Sequence, residues 1–251
     1  WQKMKCVLNR RSFCNKNSST RGALCQVNLM DKCVLILRST LLLFVVLLTP
    51  FAFADTQQQI DQVVKRLSEI QVVHGGFNQQ KKLQGLAYAL NAQGTFIFWR
   101  DHGLYIATEK PFFNALTITG SDIINWQQNG TGNVAAEQSG LIQREVNKTL
   151  LAFFSADIEL IQQRFIADWV FDKNQWQLTL TPRLELIKKN MRTAVMNGDQ
   201  FLQKLVVTAA NGDETTIEFN NQKESAAPSQ AQCHWFYLQP QAACAAFAAK
   251  Q

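Results

Sequence analysis

The sequence predicts a mainly β, α+β fold: about ten or eleven antiparallel strands in one domain, interrupted by a few helices. Three observations carry that expectation. Short segments rich in aromatic and β-branched residues recur from Val72 to about Gln128 and again after residue 165, and glycine and proline punctuate them. No strand–helix–strand alternation supports a parallel sheet. At 251 residues, with 47% hydrophobic and 18% charged side chains, the composition is that of a packed globular protein rather than a disordered or fibrous chain.

The first segments precede that domain. Residues 1–29 scatter Cys, Asn, Ser and Arg without periodicity and read as upstream translation or an extended basic region, with Met30 as a candidate start. Residues 30–54 read as a secretory signal. A basic stretch with Lys32 and Arg38 leads to the apolar run Leu41–Leu48, and Phe51-Ala52-Phe53-Ala54 offers a small-x-small site for cleavage after Ala54. The run is too short to span a bilayer and is flanked by Arg38 and Pro50. The formal charge of +6 divides at this boundary. Residues 1–54 carry eight Lys or Arg against Asp31 alone, whereas residues 55–251 carry 17 basic and 18 acidic groups. The processed chain is therefore near neutral, which argues against a nucleic-acid partner. Of the six Cys, only Cys233 and Cys244 lie beyond the leader, and in an exported chain they read as one disulfide pinning a C-terminal tail, residues 225–251.

Within residues 55–224, Ile60, Val63, Val64, Leu67 and Ile70 recur at helical spacing behind a capping-box pattern, predicting an amphipathic helix over 56–71. Strands are expected at 72–82, 86–92, 94–100, 103–109, 112–119 and 122–127, with breaks at the intervening glycines and Pro111. Residues 130–140 read as a polar linker. Leu141, Ile142, Val146, Leu150, Phe153 and Phe154 suit one helix, and 156–163 a second. Strands resume at 165–172 and 174–182. Asn197-Gly198 and Asn211-Gly212 signal hairpins between strands near 190–196, 200–209 and 214–220.

Wrapped into a curved or incomplete barrel, such strands need a filler for their concave face, and the helices are the candidates. Phe96, Phe98, Leu104, Ile106, Phe112, Ile118 and Trp126 are the apolar strand residues available to line a cavity, with Phe153 and Phe154 from the helix above it. Arg100 shares a face with Phe96 and Phe98 by period two, so a guanidinium would stand at the end of an apolar wall and need carbonyl or polar partners from whatever covers it. The enzyme motifs are missing: there is no G-x-S-x-G, H-E-x-x-H, phosphate-binding loop or C-x-x-C. His74, His102 and His234 have no acidic partner at metal-ligand spacing, so neither a metal nor another cofactor is expected.

The order and spacing of several segments resemble the periplasmic outer-membrane lipoprotein carrier family of LolA type. They are Val73-His74-Gly75-Gly76-Phe77 after the first helix, Gly94 leading to Arg100, Pro111, Gly120-Ser121-Asp122-Ile123-Ile124-Asn125-Trp126, Leu178-Thr179-Leu180-Thr181-Pro182-Arg183, and Leu202 through Asn211-Gly212-Asp213 to Phe219. The similarity covers residues 56–222. It implies an open, strongly curved antiparallel sheet, an incomplete β-barrel with helices as a lid over an apolar cavity, and no catalysis. It also implies a monomeric periplasmic carrier that takes acylated lipoproteins from an inner-membrane release complex to an outer-membrane acceptor. Arg100 matches the family's lid-contacting arginine. Asp101 stands where the pattern has proline and Leu104 where it has a larger apolar residue, which resembles a divergent LolA-like branch whose implied cargo extends to lipid-linked products. The second function class is a periplasmic sensor or protein-interaction module on the same half-barrel.

Overall fold

In a computed structural model the chain divides into two compact units, Trp1–Phe51 and Ala52–Gln251. The structure describes residues 51–135 and 141–247, so the expectations for residues 1–50 and for the end of the 130–140 linker lie outside the described residues. The first helix, α1, spans Phe51–Glu69. It starts five residues before the expected position, because Phe51-Ala52-Phe53-Ala54 contains no breaker after Pro50, and the candidate cleavage point at Ala54 falls inside it.

Eleven strands follow: β1 (Val72–Lys82), β2 (Leu90–Trp99), β3 (Gly103–Lys110), β4 (Asn114–Ile118), β5 (Ile123–Trp126), β6 (Gly132–Val134), β7 (Phe165–Asp172), β8 (Gln175–Pro182), β9 (Met191–Gly198), β10 (Leu202–Ala209) and β11 (Glu214–Ser225). They form one antiparallel sheet in the order β6-β5-β4-β3-β2-β1-β11-β10-β9-β8-β7. The chain meanders outward from β1 to the β6 edge, then reappears at the β7 edge and meanders back to β11, which pairs with β1 from Val72↔Ser225 to Lys82↔Glu214. The edges β6 and β7 are not paired with each other, so the sheet is an incomplete barrel. The connection between those two edges contains helices α2 (Leu141–Ser155) and α3 (Ile158–Arg164), and they pack on one face of the sheet together with α1.

A glycine read as a break is a contact point instead, and the glycine of one hairpin signal closes its strand while the turn itself comes after it. The expected strands 86–92 and 94–100 are one strand, β2, running through Gly94. A Cβ there would stand 1.9 Å from the Ala107 carbonyl oxygen, so the close approach to β3, not a turn, requires glycine. Gly198 likewise ends β9 against the Trp176 indole, and the hairpin turns at 199–201. The polar 130–140 segment supplies the short β6, paired with β5 from Ile124↔Val134 to Trp126↔Gly132. A further short helix, α4 (Glu185–Lys188), links β8 to β9.

The strand register separates two faces. The row Val73–Phe98–Leu104 lies under the helices, in a core that includes Leu67, Ile70, Phe153, Ile161, Phe165, Trp176, Leu180 and Met196, and Ile118 continues the row by pairing with Leu104. The neighbouring row His74–Ile97–Tyr105–Thr117–Ile124 faces the other way. There Val72, Ile97, Trp99, Tyr105 and Ile124 form a second core with the tail. The tail folds into α5 (Gln230–His234), α6 (Pro240–Ala243) and a 3-10 turn at Ala245–Phe247. The Cys233–Cys244 disulfide joins α5 to the end of α6, with both cysteines buried. Trp126 belongs to this outer core: its indole N–H donates to Thr117 Oγ1 at 2.8 Å, and the Thr117 hydroxyl donates to the Trp235 carbonyl. Tyr105 stacks on Trp235 at 4.9 Å, and burial pushes its phenol up to about 12.

His74 sits beside this outer core with its Nδ1 shielded from solvent and unpartnered, although the residue as a whole is only half-buried. Desolvation, and then the charge of Lys223 across the β1–β11 pair, lower its pKa. Below its ordinary value of about 6.5 the unfolded chain takes up a proton that the folded protein resists. Stability should therefore fall as pH drops from about 6.5 toward the lowered folded value. Chemical denaturation across that window should show the slope in the native protein and a weaker one in His74→Gln.

Candidate functional site

The face under the helices is filled by aromatic side chains from both sheet and lid. Phe154 of α2 is the hub. Its ring lies 5.6 Å from Phe98 in a stacked arrangement, 5.7 Å from Phe219 edge-on and 6.1 Å from Phe96, and Phe96 meets Phe219 at 5.0 Å. Phe153 packs on Phe165 at 6.0 Å. Leu104 is fully buried in the same core, Ile106 is partly buried against it, and Ile118 pairs with Leu104 in the same row. Seven of the nine apolar residues singled out for a cavity are thus brought to one face.

The other two are not. Trp126 pairs with Ala115, in register with Ala107, which puts it on the outer face under the tail. Phe112 is 82% exposed in the turn between β3 and β4, because β4 begins only at Asn114. Phe219, Trp176 and Met196 belong to the inner face and were missed. Phe219 sits on a strand whose alternation is interrupted by polar residues, and its only signal was an aromatic at a β-like position.

Arg100 follows the last residue of β2 and clamps the helices. Its Nε donates to the Ile70 carbonyl at 2.7 Å, one terminal N–H to Leu67 O at 2.7 Å, and the other to Ser155 O at 3.1 Å. Leu67 and Ile70 are the C-terminal turn and exit of α1, and Ser155 is the last residue of α2. The three acceptors are therefore among the carbonyls a helix end leaves without partners, where the helix dipole is negative. The guanidinium lies 5.7 Å over the Phe98 ring. Desolvation lowers its pKa and the nearby Asp101 carboxylate partly offsets that, leaving an arginine still charged at neutral pH. A second tie runs from α1 to β11: Arg66 pairs with Glu224 at 2.5 Å and lies over the Phe201 ring, and the Glu224 contact raises the Arg66 pKa. Among the described residues no group of three or more His, Cys, Asp or Glu could hold a metal ion. No helix among them is long and apolar enough to cross a membrane.

The model of the family described as outer membrane lipoprotein carrier protein LolA matches residues 68–234, more than half of the chain. The chain belongs to the LolA family. The matched span runs from the last turn of α1 through all eleven strands to the end of α5, and so includes Arg100, the inner face and Cys233, while Cys244 lies beyond it. No curated protein sequence matches the chain. Similar solved structures include a LolA superfamily protein of Nitrosomonas europaea, 9% identical, covering 67% of this chain and 94% of that one with a TM-score of 0.37. They also include the Pseudomonas aeruginosa MucA/MucB complex, at 13% identity, 69% and 60% coverage and TM-score 0.42. LprF of Mycobacterium bovis is 12% identical, with 70% and 95% coverage and TM-score 0.33. The assignment to the LolA family rests on the sequence match. Just after the clamp of this LolA-family chain, Asp101 takes a left-handed φ of 63°, which a proline could not adopt.

Proposed function

We propose that this protein works outside the cytoplasm as a carrier that takes acyl chains of a lipoprotein, or of a related lipid-linked product, onto its inner face and delivers them to the outer membrane. The observation that supports this most is the Arg100 clamp. A single side chain on the sheet holds the ends of two helices by their backbone carbonyls, over a face made of Phe, Leu and Ile. In the closed arrangement Phe154 fills the space a cargo chain would take. Cargo enters by displacing α2, which breaks the Ser155 contact and replaces the Phe154 ring contacts with contacts to the acyl chain. Each CH₂ transferred from water contributes about 0.8 kcal/mol, so one chain offsets the opening and the exchange stays reversible.

Dye and fatty-acyl uptake by the purified protein tests this. Phe98→Gln and Ile118→Gln should each weaken uptake by at least about tenfold, since a polar group left unpaired on the inner face opposes burial. Val170→Ser, on the outward side of β7, should leave it unchanged. Equal uptake by all three variants, each with native far-UV dichroism, would remove the inner face from the account. The reading also entails export, with the processed protein beginning at Asp55, which N-terminal sequencing from the periplasmic fraction checks.

A further inference from the structure

The exposed large apolar residues concentrate at one end of the strands, opposite Arg100. β1 ends, β2 begins, β3 ends and β4 begins at that end, as do the β8–β9 and β10–β11 connections. The β1–β2 connection presents Leu86, Tyr88 and Leu90, exposed by 44%, 67% and 45%. The β3–β4 turn presents Phe112, and the β8–β9 connection presents Leu184 and Leu186. The four connecting segments, 81–92, 109–114, 183–192 and 209–214, hold seven Lys or Arg against four Asp or Glu, a net +3 on a processed chain that is otherwise slightly acidic.

We propose that this end of the sheet docks on an anionic lipid surface, with Tyr88 and Phe112 entering the interface and Lys81, Lys110, Lys188 and Lys189 facing the headgroups. The form of the patch favours lipid over a protein groove. The apolar side chains are spread over three separate connections with basic residues beside them, as interfacial anchors are, and not along one helix or strand that a partner could pair with. Charge complementarity points the same way, since basic groups beside a membrane-inserted side chain gain from an anionic surface. The docked end is the far end from the Arg100 clamp, so contact with the surface leaves the helix ends free to release.

The protein recovered from cells in its natural processed form should float with vesicles of phosphatidylglycerol and phosphatidylethanolamine, and less with vesicles of phosphatidylcholine alone. The double variant Tyr88→Ser/Phe112→Ser should bind the anionic vesicles at least about tenfold more weakly, because both side chains are already exposed and only their burial in lipid is lost. Lys188→Gln/Lys189→Gln should reduce the dependence on phosphatidylglycerol and on salt. Val170→Ser, exposed elsewhere, serves as the unchanged control. A native protein that stays in solution with the anionic vesicles, or a Tyr88/Phe112 variant that floats as the native protein does, overturns the proposal. Tyr88 and Phe112 lie outside the inner face, so either result leaves the carrier reading where it stands.

Discussion

Replacing Arg100 by leucine is expected to raise the affinity of the protein for an apolar dye or a fatty-acyl ligand by about 10–100-fold. The closed arrangement loses three charge-assisted bonds, two to α1 and one to α2. Bonds of that kind contribute about 1.5–3 kcal/mol each when buried, but Arg100 is only partly so and its carbonyl partners can turn to water, so a net of about 1.5–3 kcal/mol is the reasonable expectation. An apparent dissociation constant equals the intrinsic one divided by the fraction of open molecules, so loosening the lid tightens binding by that factor. Arg100→Lys should fall between the two, because one ammonium cannot present the planar fork that reaches Leu67, Ile70 and Ser155 together. Fluorescence titration separates the outcomes. If Arg100→Leu folds normally and binds more weakly than the native protein, the arginine builds the binding surface and does not hold it shut.

The second large effect lies on the other face. Cys233→Ser/Cys244→Ser should lower stability by about 2–4 kcal/mol and Tm by about 5–15 °C. The disulfide closes the tail segment that seals Trp99, Tyr105 and Trp126, and removing it frees both the loop and the aromatic cap that loop carries. Dye uptake measured well below the new midpoint should remain native, because the inner core and the outer core share the sheet but no side chains. Loss of uptake in a variant that is still folded would mean that the tail contributes to the cargo face. Scanning calorimetry and titration on the same sample decide it.

The difference between Phe98 and Trp126 shows how far the sequence could be read. Period-two alternation told which residues of one strand share a face, and Phe96, Phe98 and Arg100 were grouped on that basis. It carried no information about which face of a later strand continues the same side, because that depends on the register across each turn. Counting from Leu104 across the β3–β4 turn puts Ile118 inside and Trp126 outside, and only the pairing Ala107↔Ala115↔Trp126 settles it. Phe112 failed for a simpler reason: β3 ends at Lys110 and β4 starts only at Asn114, which leaves it outside any strand. Gly94 reads as a break, and Gly198 as the turn itself, because glycine is ambiguous between turning the chain and letting another group approach.

The helices were legible because their apolar spacing is regular, and so was the absence of parallel units. The tail was legible only as a cysteine pair. Its aromatic residues Trp235, Phe236 and Tyr237 have no periodicity that would announce a second core, and their meaning depends on an outer sheet face whose existence is a matter of topology. For Arg100 the sequence called for carbonyl or polar partners in the covering helices, but not for which ones, since backbone carbonyls have no residue code.

Native mass spectrometry of the processed protein taken gently from the periplasm, repeated after denaturation, tests the carrier reading most directly. The account predicts one acylated protein or lipid-linked molecule bound per chain, or one-to-one uptake of an added acyl ligand by the empty protein. A protein that is recovered empty and refuses acyl ligands, with and without Arg100, would contradict it and leave the half-barrel as a protein-interaction module.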